Sequence, residues 1–434
     1  MRSFMRSRAI HTLFSPRKQF VRNLPGNRRF SLSISLQTQP LLSPQTTSAR
    51  RWEDSEELLE DYDPAINGYY PLKIGDVLGG HYSVVQKLGW GVYSTVWLVK
   101  DQQYESPTFR ALKVLTRVAM EVQDKLHELD YLQKMQSKSP QHLGYAHVVH
   151  LKDHFCQKMM EPLLEDLHLF SLRWKHRLLP LPAVRYLARQ IVLGVQYLHD
   201  ECNSIHTDIK PANILLAPPG DQSSFFTQAT LDADVETSDA QGPNGAIVTR
   251  VRSNPIPYPI PDWGSNPDSV EPWRAPQAKI GDVGVACWAD KVSEHFTELI
   301  QSPALRAPEV AIGAGWGKPA DVWSLGCTLY ELYMGRSLFK KTVSPLSVPN
   351  LHTIAFGQYP PSLLQRGKHR DVFFKPDGTL KIPVEETRPF DLYIRMRNAP
   401  DAAAFVDFLR RTFALEPAER ATCRELLDHP WLNM

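Results

Sequence analysis

The stretch Ser204-Ile205-His206-Thr207-Asp208-Ile209-Lys210-Pro211-Ala212-Asn213-Ile214-Leu215-Leu216 constrains this chain more than any other. It sets an acid, a cation and an amide within the six residues Asp208 to Asn213, between a helix-patterned run and an apolar run. A short loop holding Asp, Lys and Asn at that spacing suits phosphoryl transfer. Asp208 would orient or deprotonate an attacking hydroxyl, Lys210 would offset charge on the moving group, and Asn213 would ligate Mg²⁺. A polar surface turn would use the same residue types, so the neighbouring segments have to decide.

Upstream, Tyr82-Ser83-Val84-Val85-Gln86-Lys87-Leu88 reads as a strand and leads into Gly89-Trp90-Gly91-Val92-Tyr93-Ser94. A second β-rich run, Thr95 to Lys100, follows, so the glycines close a hairpin. A dinucleotide-binding glycine loop would open a helix; this one opens a strand. Glycines there let the backbone approach phosphates closely. Phe109-Arg110-Ala111-Leu112-Lys113-Val114-Leu115 is an apolar strand with one lysine, either an edge gatekeeper or a buried cation with a job. After a glycine hairpin the second use fits better, and it needs a carboxylate partner. Residues 122–135 read as a helix that offers Glu128, with Glu121 as the alternative. Residues 147–151 read as a strand and 163–178 as helical.

Pro182 sits just inside the next helix start. Val184, Leu187, Ala188, Ile191, Val195 and Leu198 then recur at spacings of three and four and deliver the chain to His206. Residues 217–277 are rich in Pro, Gly, Ser and Asp, with poor periodicity, and read as a long, largely irregular surface insertion. Trp263 and Trp273 would pin its end. Beyond it, Asp282-Val283-Gly284 follows a short strand and suits a metal ligand on a turn, although Asp-x-Gly alone is only a turn signal. Ala307-Pro308-Glu309 comes next, and Asp321 opens an apolar helix, where a favourable dipole contact would explain it. Residues 403–414 and 422–429 read as closing helices, with Arg420 between.

The chain, 434 residues long, can build two lobes with real cores. Its five cysteines are scattered without a C-x-x-C pair, which speaks for free thiols and against a zinc site or a disulfide framework. No apolar run is long enough for a transmembrane helix. The net charge is +2, but no Asp or Glu precedes Glu53. Residues 1–52, rich in Arg and Ser/Thr, have the composition of a mitochondrial transit peptide, which a disordered basic tail shares. The same Arg residues suit nucleic acid, but no aromatic platform or motif accompanies them.

In order, Gly89/Gly91, Lys113, Glu128, the Asp208–Asn213 loop, Asp282-Val283-Gly284, Ala307-Pro308-Glu309, Asp321 and Arg420 resemble the eukaryotic protein kinases over residues 82–432. Lys87-Leu88-Gly89-Trp90-Gly91-Val92-Tyr93-Ser94-Thr95-Val96-Trp97-Leu98, His206-Thr207-Asp208, and Ala286-Cys287-Trp288 with His295-Phe296-Thr297 resemble the SR-protein kinases, particularly fungal ones. Members of that group phosphorylate serines in Arg/Ser-rich splicing proteins and carry an insertion. The resemblance implies an α+β, bilobal fold. It would have a basic leader over 1–52, an extension over 53–80, a small antiparallel β-rich lobe with one key helix over 81–163, and a mainly helical lobe over 164–434.

It implies a Ser/Thr kinase using ATP and Mg²⁺ and acting on protein substrates, with no direct nucleic-acid contact, no membrane, and a monomeric state. ATP contacts are expected at Leu88, Gly89, Trp90, Gly91, Val96, Ala111, Lys113 and Glu128. Asp208 is the catalytic base, Lys210 stabilises the transferring group, and Asn213 and Asp282 hold the metal. Glu309 and Arg420 form a buried pair, and His206 is scaffold. The family implies cytoplasm and nucleus, whereas the leader composition suggests mitochondria.

Three departures bear on function. Thr207 stands where many kinases have an Arg that meets a phosphate on the activation segment, so activity independent of such a phosphate is expected. That segment, 285–306, offers Ser293, Thr297 and Ser302. Val283 replaces the usual Phe or Leu. Only Cys156-Gln157-Lys158-Met159-Met160 separates Phe155 from Glu161-Pro162-Leu163, so the chain is short by about ten residues where a loop and a whole strand precede the adenine-binding hinge. That shortening opens the alternative of a pseudokinase acting as a scaffold.

Overall fold

The computed structural model describes residues 52, 56–155, 157–260, 269, 271–291, 295, 297–340, 343–384 and 386–433, leaving aside the side chains of 123–126. The chain divides into two units, 1–37 and 38–434, and every described residue belongs to the second. The basic leader, except Trp52, lies outside the described residues, as do Cys156, Trp263, Ser293 and Phe296.

A six-stranded antiparallel sheet forms one lobe. Its strands are β1 (Val77–Leu78), β2 (Tyr82–Gly91), β3 (Ser94–Asp101), β4 (Thr108–Leu115), β5 (Leu151–His154) and β6 (Lys158–Met160), in the order β1-β2-β3-β4-β6-β5. In β2, Tyr82, Val84 and Gln86 point inward alternately, as a strand with one packed face requires. Gly91 pairs with Ser94, so Val92 and Tyr93 alone make the hairpin turn. Leu72, Tyr82, Val84, Trp97, Val99, Leu112, Val114 and Met159 pack into one core, joined by Val251 from the insertion.

The helix expected over 122–135 is two helices, α1 (Arg117–Leu126) and α2 (Glu128–Ser137). They break at His127, whose φ of 50° lies in the left-handed region. No Gly or Pro marks that break in the sequence. It starts α2 at Glu128, where a carboxylate favours the helix N-terminus.

The strand expected over 147–151 is displaced. Leu143–His147 is a 3₁₀ turn and β5 begins at Leu151. Val148 and Val149 are buried beside Ile280 instead, Val149 N–H donating to the Ile280 carbonyl at 2.9 Å. The apolar run thus belongs to the core rather than to the sheet. β6 begins at Lys158, four residues after β5 ends at His154, and pairs antiparallel with it. The loop is what is missing; the strand is present, compressed to three residues. The expected helix over 163–178 is also shorter: 163–165 run extended and α3 is Leu167–Leu172, capped by the Asp166 side chain.

α4 (Leu181–Asp200) buries the predicted face, with Pro182 in its first turn. Two small ladders then bracket the polar loop. β7 (Ser204–Ile205) pairs with a strand beyond the loop, and β8 (Ile214–Leu216) pairs with another.

The insertion is more ordered than its composition suggested. It contains α5 (Gln222–Leu231) and the hairpin β9 (Thr237–Gln241) and β10 (Ile247–Val251). Phe226, Val248, Val251, Ile256 and Tyr258 are buried, so a few scattered apolar anchors suffice where no period is visible. Trp273 is buried against Phe170 and Trp174, with ring centroids 6.4 and 5.9 Å away, as the pin it was expected to be.

The partners of β8 and β7 are β11 (Ala278–Ile280) and β12 (Cys287–Trp288). The rest is helical: α6 (Pro308–Ala311), α7 (Lys318–Met334), α8 (Val348–Phe356), α9 (Pro361–Arg366), α10 (Arg370–Phe373), α11 (Leu392–Arg397), α12 (Ala402–Thr412) and α13 (Cys423–Leu427). α12 and α13 are the two closing helices read from the sequence. Among the described residues no helix is long and apolar enough to cross a membrane. The four described cysteines are buried free thiols.

Candidate active site

The loop carrying Asp208 is built from behind. Asp321, fully buried at the start of α7, accepts the backbone N–H of His206 at 2.7 Å and of Thr207 at 2.8 Å, and faces His199 Nε2 at 2.9 Å. It therefore does more than favour its helix dipole; it satisfies backbone donors that burial would otherwise orphan. Thr207 sits at φ 69°, a strained place for a β-branched residue. His206 Nδ1 accepts the Asp208 N–H at 3.2 Å, while Nε2 meets the Gly281 carbonyl at 2.8 Å, so this ring is scaffold. Asp208 Oδ2 receives Lys210 Nζ at 2.5 Å and Asn213 Nδ2 at 3.1 Å. The three polar residues of the loop thus converge on one carboxylate.

Facing them is a charge cluster. Lys113 Nζ donates to Glu128 Oε1 at 2.5 Å and to Asp282 Oδ1 at 3.0 Å. Glu121, the alternative partner, pairs instead with Arg117 on the surface. Lys113 pulls the Asp282 carboxyl down to about 2, although desolvation opposes it. Burial would raise the Glu128 carboxyl, but Lys113 and then Lys158 outweigh it and hold it low. Desolvation works against a charged Lys113, yet Asp282 and Glu128 together push its pKa up. Gly284 leaves little room for a side chain: a Cβ there would lie 3.2 Å from Asp282 Oδ1 and 3.3 Å from Lys113 Nζ, a tight fit against both.

Leu88, Gly89, Trp90, Gly91, Val96, Ala111, Lys113, Glu128, Asn213 and Asp282 all line one cavity of about 860 Å³ between the lobes. Asp208 and Lys210 do not line it; they are tied to it through Asn213, whose side chain donates to Asp208 and whose N–H donates to the Lys210 carbonyl at 2.9 Å. A Cβ on Gly89 or Gly91 would meet nothing within 4 Å, which leaves room over the hairpin. Met160, Glu161 and Leu163 line the same cavity, so the compressed strand still delivers a hinge wall.

The donors also suit a hard divalent cation. With its amide nitrogen committed to Asp208, Asn213 has its amide oxygen left, and Asp282 keeps a solvent-reached carboxylate, its side chain 53% exposed. Among the described residues no group of three or more His, Cys, Asp or Glu side chains converges into a cage. Two oxygen ligands fit an ion that takes the rest from phosphate and water.

Several contributors were not read from the sequence. Tyr69 Oη donates to the Gly91 carbonyl at 2.6 Å and Asn67 Nδ2 to that of Val92 at 2.9 Å, tying the hairpin tip to the N-terminal extension. Lys87, just before the glycines, is buried against Glu56 at 2.9 Å and Glu57 at 2.6 Å. Ser253, Pro255 and Ile256 of the insertion form part of the cavity wall. Lys158 binds Glu128 Oε2 at 2.9 Å. No local pattern announces these contacts, because each joins segments remote in sequence.

Below the cleft, Arg420 grips Glu309 with two bonds of 2.8 and 3.0 Å, both side chains buried, as the resemblance implied. Beyond Asp282 the chain is fastened by contacts of its own. Thr207 Oγ1 donates to the Val285 carbonyl at 2.8 Å, and the Trp288 ring lies 4.2 Å from that of Tyr131 and 4.5 Å from Lys134 Nζ.

Comparison with known proteins gives a consistent picture. The protein kinase domain matches residues 82–224 and 272–432, leaving out most of the insertion. A serine/threonine-protein kinase SRPK of Physarum polycephalum is 29% identical over 411 residues, spanning 88% of this chain and 92% of that protein. The protein kinase dsk1 of Schizosaccharomyces pombe is 28% identical, over 87% of this chain and 85% of its own length. SRSF protein kinase 3 of Homo sapiens is 27% identical, over 90% and 93%. A crystal structure of another kinase domain superposes with a TM-score of 0.60 over 84% of this chain and 98% of its own at 21% identity, which speaks for the fold alone.

Proposed function

The chain belongs to the protein kinase family, and from that premise we propose that this serine/threonine kinase transfers the γ-phosphoryl group of ATP to serine and threonine hydroxyls of Arg/Ser-rich, splicing-factor-type proteins, with Mg²⁺ as the metal. The observation that carries the kinase reading is the meeting of Lys113, Glu128, Asn213 and Asp282 around one cavity, with Asp208 hydrogen-bonded to Asn213. Asp208, oriented by Lys210 and Asn213, accepts the proton of the incoming hydroxyl. Lys113 offsets phosphate charge, and Lys210 does so at the transferring group. Asn213 and Asp282 would hold the metal, which supplies charge neutralisation on the phosphates when bound. The Arg/Ser class rests on similarity to proteins named SRPK and SRSF protein kinase. The scaffold alternative, raised by the shortened hinge strand, gains no support: β6 is only three residues long, yet Met160, Glu161 and Leu163 still line the cavity.

The test is radiolabel transfer from ATP to an Arg-Ser repeat peptide beside a general basic-protein control. Preferential labelling of the repeat is expected, and Asp208→Ala should be silent with an unchanged thermal transition. Equal labelling of both substrates would remove the Arg/Ser class. No nucleotide binding or transfer at all would remove the kinase reading.

A further inference from the structure

Two lysines meet beside the nucleotide cavity, where the sequence showed reason for one. Lys113 on β4 and Lys158 on β6 are directly opposite partners in the antiparallel ladder, and each side chain is only 10% exposed. Like charges so placed repel, and burial strengthens the repulsion. Glu128 resolves it by dividing its oxygens: Oε1 takes Lys113 at 2.5 Å and Oε2 takes Lys158 at 2.9 Å. With Asp282 at 3.0 Å from Lys113, the four side chains sum to zero charge.

That balance changes when the site is used. A metal draws on the Asp282 carboxylate, and phosphates draw on Lys113. If Lys113 were the sole partner of Glu128, its charge would be divided between a buried carboxylate and the phosphates. Lys158 removes that conflict by neutralising Glu128 independently. It is placed to do so by the register of the ladder: Lys158 is the first residue of β6, opposite Lys113, and a second cavity of about 440 Å³ is lined by Lys158, Lys113 and Glu128 together.

We propose that Lys158 is a positioning residue of the phosphotransfer site, holding Glu128, and through it Lys113, so that the full charge of Lys113 is available to the triphosphate. The inference rests on the kinase reading above.

It is tested on the full chain with Lys158→Met, Lys158→Arg, Glu128→Gln and the double variant Lys158→Met/Glu128→Gln. Binding of a fluorescent ATP analogue and steady-state kinetics in ATP are measured. Lys158→Met should raise KM for ATP about tenfold while kcat falls less than about threefold. Lys158→Arg should return KM to within about twofold of the parent. The double variant should be no worse than Glu128→Gln, because the two residues act as one unit. An unchanged KM in Lys158→Met overturns the proposal, and so do effects that multiply in the double variant. If Lys158→Met does not fold, Lys158→Gln carries the same comparison. If Lys158→Arg behaves like Lys158→Met, lysine serves packing rather than charge and the proposal fails. A parent chain that binds no nucleotide would instead sink the kinase reading, so the two failures are distinguishable.

Discussion

Asp282 concentrates the residue-scale physics. It is held at φ 54°, in a turn that leaves its carboxylate pointing at Lys113. The Lys113 ammonium lowers its pKa from 3.8 to about 2. A carboxyl whose folded pKa lies below its unfolded one contributes stability that is fully present above the unfolded value. That contribution is lost as the pH falls through the folded value. The stability gap between the parent and Asp282→Asn should therefore be constant above about pH 5 and close between roughly pH 4 and pH 2. Urea unfolding at stepped pH measures it; a gap that widens on acidification would contradict the pairing with Lys113. Each residue was legible in the sequence, Asp282 as a metal ligand on a turn and Lys113 as a buried cation seeking a carboxylate, but their pairing was not, since the sequence offered Lys113 only Glu128 or Glu121. Lys158 was not, since only the β4–β6 register brings it opposite Lys113.

At the scale of elements, the segment after Asp282 decides how the lobes are coupled. β12 pairs with β7 beside the Asp208 loop, Thr207 fastens Val285, and Trp288 packs tilted against Tyr131 and under Lys134 of α2. Aromatic and cation–π contacts of this kind are each worth about 0.5–2 kcal/mol. Protein treated with phosphatase, its mass confirming no phosphate, should retain the activity of the untreated chain. Trp288→Ala should lower activity about tenfold, from the loss of those contacts. An absolute requirement for phosphate on 285–306 would refute this picture. Thr207 pointed toward it in the sequence, but the part played by Trp288 did not, since its partners lie on a helix whose true start at Glu128 had no visible signal.

For the whole molecule, two segments outside the residues matched by the kinase domain converge on the strand that leads to the glycines. Glu56 and Glu57 come from the extension, and the Val251 carbonyl accepts from Lys87 at 3.1 Å while Asn254 N–H donates to the Lys87 carbonyl at 2.8 Å. Glu56, Glu57 and Lys87 are all buried, and burial pushes the Glu57 carboxyl up in spite of Lys87. Removing one member of a buried ion group leaves the others uncompensated, at about 3–5 kcal/mol. Lys87→Met should lose stability of that order in chemical denaturation. A loss under about 1 kcal/mol would mean that water enters and solvates the two carboxylates.

By itself the sequence determined the lobed kinase fold, the polar loop, the hairpin glycines, Lys113 with Glu128, Asp282, and the Glu309–Arg420 pair. The polar loop, the hairpin glycines, Lys113 in its apolar strand and Asp282 are encoded by short-range order, as turn chemistry or residue types within a few positions, whereas the fold and the Glu309–Arg420 pair, whose members lie 111 residues apart, were implied by the resemblance of the ordered motif series. Tertiary structure alone decided the break at His127, the three-residue hinge strand, the ordered insertion, and the lysine facing Lys113. Those depend on strand register and on contacts between remote segments, where the free energy lies in pairs of residues that no local pattern joins.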